Sequence, residues 1–391
     1  MIPIPAFFEF ECPVKTHCGH RALDHMPFEL RAMDVAKPLL IGDVPASHAK
    51  RWHPVVNAFR DAQMTIGVVE EIPTDDPQAI VRQLAAIYRD KDCDAIVAVG
   101  QGPFIDMAKW LNLAVSTGEE TLDAFTSGQA IPRTIKPLAV IPSAAADGYE
   151  VSGLLRTGNE AVASVNLMPQ LIFIDPRSVG QPDDITMAET GLMALVNGVE
   201  TFFRTHANPM TAVYARTATR LALDALHQLS GRDERRDDLA WTVAHAAALS
   251  GCALGCGPCS TTHAIGQAIA AGGKISAAQA TGVVLSYALE HRALANNLDS
   301  DALWGLLCDG DHYARTPDGQ RGSAAFFFLR NLLNDLFDRT DGQIRRTLQD
   351  AGLTHEELQD VTVMPDPLAE EGESGTHATI MAHAWDGRPL R

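Results

Sequence analysis

The chain is poor in positive charge. Lys and Arg total 31 against 49 Asp and Glu in 391 residues, a formal net charge of -18, so a nucleic-acid or anionic-membrane surface is repelled rather than bound. No lysine at all occurs between Lys136 and Lys274. Long apolar runs are also missing. The stretches break well short of the ~20 residues that cross a bilayer, and the N-terminus, MIPIPAFFEFECPVK, has no basic start followed by an apolar core. The seven cysteines, an odd number without framework spacing, exclude a disulfide scaffold and fit a reducing compartment. These absences lead to the expectation of a cytoplasmic protein that takes a small-molecule substrate and has neither a nucleic-acid nor a membrane partner.

With 46% hydrophobic and 20% charged residues the chain is ordinary globular material, long enough for about two domains. Residues 36–43 (AKPLLIGD), 64–71 (MTIGVVEE), 94–100 (DAIVAVG) and 136–142 (IKPLAVIP) are short apolar runs with turn residues at their ends, separated by segments of helical period. That alternation predicts βαβ units and a mostly parallel sheet, closed by a last strand from Leu171 to Asp175. Beyond about Pro182 the chain reads as successive Ala- and Leu-rich helices, among them 186–204, 208–229, 237–256 and 276–296. The expected domains are therefore an α/β unit over 1–180 and an all-helical unit over 181–391.

Gly100-Gln101-Gly102-Pro103 follows a buried strand and opens a predicted helix. Such a turn aims backbone N–H groups and a helix dipole at a pyrophosphate, although a plain βα turn has the same ingredients. Asp43, at the end of another strand, is placed to accept hydrogen bonds from an adenosine ribose and to repel a 2′-phosphate; a surface turn Asp is the other reading.

Context comes from the order of the motifs. Residues 98–109 (AVGQGPFIDMAK) resemble the GGGSxxDxAK signature of the iron-containing alcohol dehydrogenases, and 137–151 (PLAVIPSAAADGYEV) resemble their PLIxIPTTxGTGSEV. Residues 169–176 are similar to their PxxxIxDPxL segment, Thr190 to Glu200 to TGxDAxxHxxE, and His263 to Gly266 to the start of HxxxH. The five motifs run in the family's order over about residues 7 to 300. The resemblance implies the dehydroquinate synthase-like fold: an N-terminal Rossmann-like dinucleotide domain, an all-α C-terminal domain and an active-site cleft between them. It implies NAD as cofactor, with NADP disfavoured by Asp43, at a site formed by Asp43, Gly100, Gln101, Gly102, Asp106, Ser143 and Ala144. A homodimer is the expected assembly.

The departures are as informative. Where the family holds iron or zinc with one Asp and three His, this chain has Met193, Asn197, His263 and Ala277. Met and Asn are poor partners for such an ion and Ala offers no lone pair, so no catalytic iron or zinc is expected. A further family His is Gln267, which cannot titrate. On the nucleotide side Gln101 replaces a glycine and Ser143-Ala144 a threonine pair. Cys252, Cys256, Cys259 and His263 have a spacing that a rebuilt metal site could use, but buried small residues in close helix packing account for it better. The expected function is a metal-independent, NAD(P)-dependent oxidoreductase of a small carbonyl or alcohol. Tyr149 is the candidate proton donor, on the loop that also bears Asp147 and Glu150, and Asn197, His263 and Gln267 form a neutral polar cluster. A non-redox protein reusing the cleft, whether binding subunit, lyase or isomerase, is the alternative.

Overall fold

A computed structural model describes residues 4–42, 52–69, 76–143, 146–157, 160–204, 207–229, 236–257, 260–363 and 374–390. Two compact units divide the chain. One holds Glu11–Pro182 with Gly255–Gly257, and the other holds Asp183–Leu254, Pro258–Arg391 and Met1–Phe10. The sequence alone placed the first ten residues with the sheet, but the ring of Phe10 stacks on Tyr214 of the helical unit at 5.7 Å.

The first unit is built on a parallel sheet of six strands in the order β1-β8-β5-β4-β2-β3, with a separate antiparallel pair β6-β7. The strands are β1 (Lys15–Cys18), β2 (Pro38–Gly42), β3 (Gly67–Val69), β4 (Ala95–Gly100), β5 (Leu138–Pro142), β6 (Leu154–Thr157), β7 (Glu160–Ala163) and β8 (Leu171–Ile174). Every residue of β4 and β5 is buried, as a parallel sheet covered on both faces requires. Alternate side chains serve opposite cores. Leu39, Ile41, Ile96, Ala98 and Val140 pack with α2 (Pro77–Asp90) and α3 (Pro103–Thr117), while Leu40, Val97, Val99, Ala139 and Ile141 pack with α1 (Trp52–Asp61).

The sheet order also locates a crevice. After β2 the chain moves outward to β3, then returns to the other side of β2 to form β4 and continues to β5. That reversal lies between β2 and β4, and ligands of open α/β sheets bind beyond the carboxyl ends of the strands at such a switch. Gly100, the last residue of β4, leads directly into it.

The second unit is helical: α4 (Asp184–Phe202), α5 (Pro209–Gln228), α6 (Arg236–Leu254), α7 (Thr261–Ala270), α8 (Ala277–Leu294) and α9 (Ser300–Leu307), with further helices beyond. Their starts are written locally. Asp183, Ser260 and Ser276 cap α4, α7 and α8 through their side chains, and Asn208 forms a capping box with Thr211 at α5. Helices α4 and α5 pack closely where α4 has glycine. A Cβ on Gly198 would stand 2.4 Å from Thr219 Oγ1 and 2.9 Å from the Ala215 carbonyl oxygen. Gly198→Ala therefore gains helix propensity of up to ~1 kcal/mol but forces two backbones apart, and the overpacking cost of roughly 1–3 kcal/mol wins. A lowered urea midpoint with an unchanged slope is the expected reading. No helix of the described residues is long and apolar enough to cross a membrane.

Candidate functional site

In the sheet unit the geometry begins at the glycine turn. Gly102 has φ 48° and ψ -128°, a conformation costly for a side-chain-bearing residue, and it caps α3 with Pro103 at the first helical position. The turn closes through Phe104 N–H to Gln101 O at 3.1 Å and Ile105 N–H to Gly102 O at 2.9 Å. The Gln101 side chain is held by Ser143, whose hydroxyl donates to its Oε1. Ser143 is itself placed by its backbone N–H, which donates to Gly100 O at 3.1 Å. Asp43 and Ala144 lie outside the described residues.

A charged cluster lies under this turn. Lys109 is fully buried, and its ammonium donates to the carbonyls of Tyr149, Ser152 and Leu154 at 2.7, 2.9 and 2.6 Å. All three of its donors are thereby used, so it ties the loop after β5 to α3 and has none left for a substrate. Burial pulls its pKa down, against the upward pull of Asp106, Asp147 and Glu150. One ammonium faces three carboxyls. Burial pushes Asp106 and Glu150 up to about 7 and Asp147 up to about 6, because a dry site disfavours the charged form, and the Asp147 carboxyl adds to the rise at the other two. Among the described residues, Asp106 Oδ1 and Glu150 Oε1 are buried without a hydrogen-bond partner, while Glu150 Oε2 accepts from Gly148 N–H at 2.8 Å. Asp147 reaches the turn itself: a Cβ on Gly102 would stand 3.4 Å from its Oδ2.

Tyr149, on the same loop, is 4% exposed, and its backbone N–H donates to Asp147 Oδ1 at 3.1 Å. Cys256 packs against Gly153, and burial pushes its thiol up to about 11. A thiol held protonated is a poor ligand, Cys259 lies outside the described residues, and no group of three or more His, Cys, Asp or Glu among the described residues is arranged to hold a metal.

In the helical unit Asn197 and His263, both buried, lie side by side, with His263 Nε2 2.7 Å from Asn197 Oδ1. Protons in this chain can be assigned from its ends. Ser250 Oγ–H donates to Ala247 O at 2.8 Å, so its oxygen accepts from Asn197 Nδ2 at 3.2 Å. The amide then turns Oδ1 toward His263, whose Nε2 must carry the proton, while Ser260 Oγ stands 2.9 Å from Nδ1. With Met193, itself buried, and Ala277 offering no hard donor, the four positions supply one imidazole and one amide, a set that does not fit a divalent iron or zinc.

Gln267 is the third member of the expected cluster. It is exposed, one turn after buried His263, and among the described residues no hydrogen bond links it to Asn197 or His263. Sequence reading also passed over Glu200, which accepts from the Thr262 hydroxyl and from Arg292 at 3.0 Å. Only the helix packing brings these three distant residues together.

Sequence models of this chain's two halves match. Residues 13–176 match the model described as iron-containing alcohol dehydrogenase, and residues 187–364 match that described as Fe-containing alcohol dehydrogenase family, C-terminal. A 4-hydroxybutyrate dehydrogenase of Cupriavidus necator is 33% identical over 228 residues, covering 56% of this chain and 57% of its own length. The chain thus aligns with little more than half of that relative. The crystal structure of a 1,3-propanediol oxidoreductase superposes at TM-score 0.82 with 20% identity, covering 97% of this chain and 100% of the other. A sulfoacetaldehyde reductase from Bifidobacterium kashiwanohense in complex with NAD+ superposes at TM-score 0.75 with 18% identity, covering 97% and 99%.

Proposed function

The chain belongs to the iron-containing alcohol dehydrogenase family, and from that premise we propose that this alcohol dehydrogenase-like oxidoreductase works without a metal on a small carbonyl or alcohol. The observation that carries the reading is the strand, glycine turn and helix at Gly100–Pro103, at the switch point of the sheet.

NAD, the proposed cofactor, would take the hydride from an alcohol or return it to a carbonyl. The backbone of Gly100 to Gly102 and the start of α3 would hold its pyrophosphate, and Asp43 would favour NAD over NADP. Gln101, whose side chain Ser143 holds, would have to leave the turn's backbone open for this. Asp147 must be neutral there, since a carboxylate at the turn repels a diphosphate. In the proposed chemistry the Tyr149 phenol gives its proton to the oxygen that gains charge as the carbonyl is reduced, the part a metal would otherwise play. Asn197 and His263, as a neutral hydrogen-bonded pair, supply polarity without a net charge.

The name of the 4-hydroxybutyrate dehydrogenase points to short hydroxy acids as the first compounds to try. Metal-stripped enzyme with NAD and 4-hydroxybutyrate, or with NADH and short aldehydes, should turn over, and Tyr149→Phe should lower kcat by roughly 100-fold with a smaller change in KM. Activity that appears only after adding zinc or iron would overturn the metal-free reading. The carboxylates around the turn favour one other reading, a non-redox protein on the same fold. Failure to bind NADH at any pH would select it.

A further inference from the structure

A cavity of about 640 Å³ opens in the helical unit among residues outside the hydrogen-bonded chain of Asn197 and His263. The end of α4 and the residues after it, one side of α5, the segment between α8 and α9, and α9 with the segment following it contribute its walls. Its size falls in the range of roughly 300–1,000 Å³ typical of small-molecule sites. Arg204, Arg216 and Arg220 line it together with Phe202, Phe203 and Leu298. This is an unusual gathering of cations in a chain with a net charge of -18.

The charges around the cavity are unevenly committed. Its two carboxylates, Asp299 and Asp309, are occupied as helix caps: Asp299 accepts from Ala302 N–H at 3.0 Å, and Asp309 accepts from His312 N–H and contacts His312 Nδ1, both at 2.8 Å. Arg204 donates to the Leu254 carbonyl at 3.4 Å. Arg216 and Arg220, four residues apart and so on one face of α5, are neither hydrogen-bonded nor ion-paired among the described residues; Arg216 lies over the Phe202 ring at 5.4 Å. Two guanidinium forks beside an apolar wall match a ligand with an anionic head and a hydrocarbon body. Phosphate alone would leave the Phe202 and Phe203 rings uncovered.

We infer that this cavity is a binding site for a small organic carboxylate, whose head is held by Arg216 and Arg220 and whose apolar body lies against Phe202 and Phe203. The site is separate from the proposed dinucleotide turn and independent of the chemistry proposed there.

Calorimetry with phenylacetate as probe, phenylacetamide as its uncharged analogue and inorganic phosphate as a bodiless anion tests this. Phenylacetate should bind the wild-type protein saturably and more tightly than either control, and R216A/R220A should weaken it roughly tenfold or more. Because Arg216 also covers Phe202, R220Q, which leaves that contact intact, is measured beside it and should weaken binding in the same direction. The inference is overturned by equal phenylacetate affinity in wild type and folded variants. Phenylacetamide or phosphate binding as tightly as phenylacetate overturns it too, as does the absence of saturable phenylacetate binding.

Discussion

At pH 8, Asp147→Asn is expected to bind NADH roughly 100-fold more tightly than the wild type, and at pH 6 only about twofold more tightly. The free carboxyl sits at about 6 because it is buried, so at pH 8 only about one molecule in a hundred carries the neutral form that a diphosphate tolerates. A bound diphosphate raises that pKa further, and binding takes up a proton. The sign follows: affinity falls about tenfold for each unit of pH above 6, until the pKa of the bound form is passed. The neighbours set the size of the effect. The Tyr149 N–H, the Lys109 ammonium and the N–H of Asp147 itself each favour the Asp147 carboxylate against the burial that disfavours it, and the Asp106 and Glu150 carboxyls, Arg156 and the Cys256 thiol complete the surrounding charge. Asparagine cannot ionise, so its curve should be much flatter than that of the wild type from pH 6 to 8, keeping only what Asp106 and Glu150, at about 7, contribute. A flat wild-type curve, or weaker binding by the variant at pH 8, would mean that Asp147 does not meet the dinucleotide.

The second large effect concerns the pocket around His263. Met193→Asp, Asn197→His and Ala277→His, made together, should restore zinc binding and make the thermal midpoint depend on zinc. Singly they should do little, because a divalent ion needs several ligands at once. Without metal the triple variant should be less stable by several kcal/mol, since Met193 is 6% exposed and an Asp there is a buried, unpaired charge. Zinc at about 100 times its Kd should return about 2.7 kcal/mol. The variant must also break the Asn197–His263 bond, which lets the imidazole proton leave Nε2 and opens its lone pair to a metal. A folded triple variant whose midpoint ignores zinc would refute the reading of residues 193, 197 and 277 as vacated ligand positions.

Most of the strands that sequence located have the simplest environment; β3, an edge strand only partly buried, is the exception, found from its run MTIGVVEE. β2, β4, β5 and β8 are buried on both faces and read as continuous apolar runs. β1, KTHC, lies at the sheet edge with mostly exposed side chains, and β6 and β7 pair only with each other; none of the three carries an apolar run that marks a strand in advance. Helix starts were legible for a similar reason, because a capping side chain acts within three residues of itself.

The residues at the turn, the replacement of Gly by Gln101 and the poverty of donors at 193 and 277 are determined by sequence alone, since each depends on the identity of a residue at its position in the motif order. Tertiary structure decided the rest. It set the strand order that makes a crevice at β4, placed Asp147 against Gly102 and three carboxyls around Lys109, and turned Gln267 outward while His263 met Asn197. It also gathered Arg216 and Arg220 beside Phe202. These outcomes depend on which distant segments become neighbours and how dry the space between them is, and neither distance nor dielectric is encoded in local sequence.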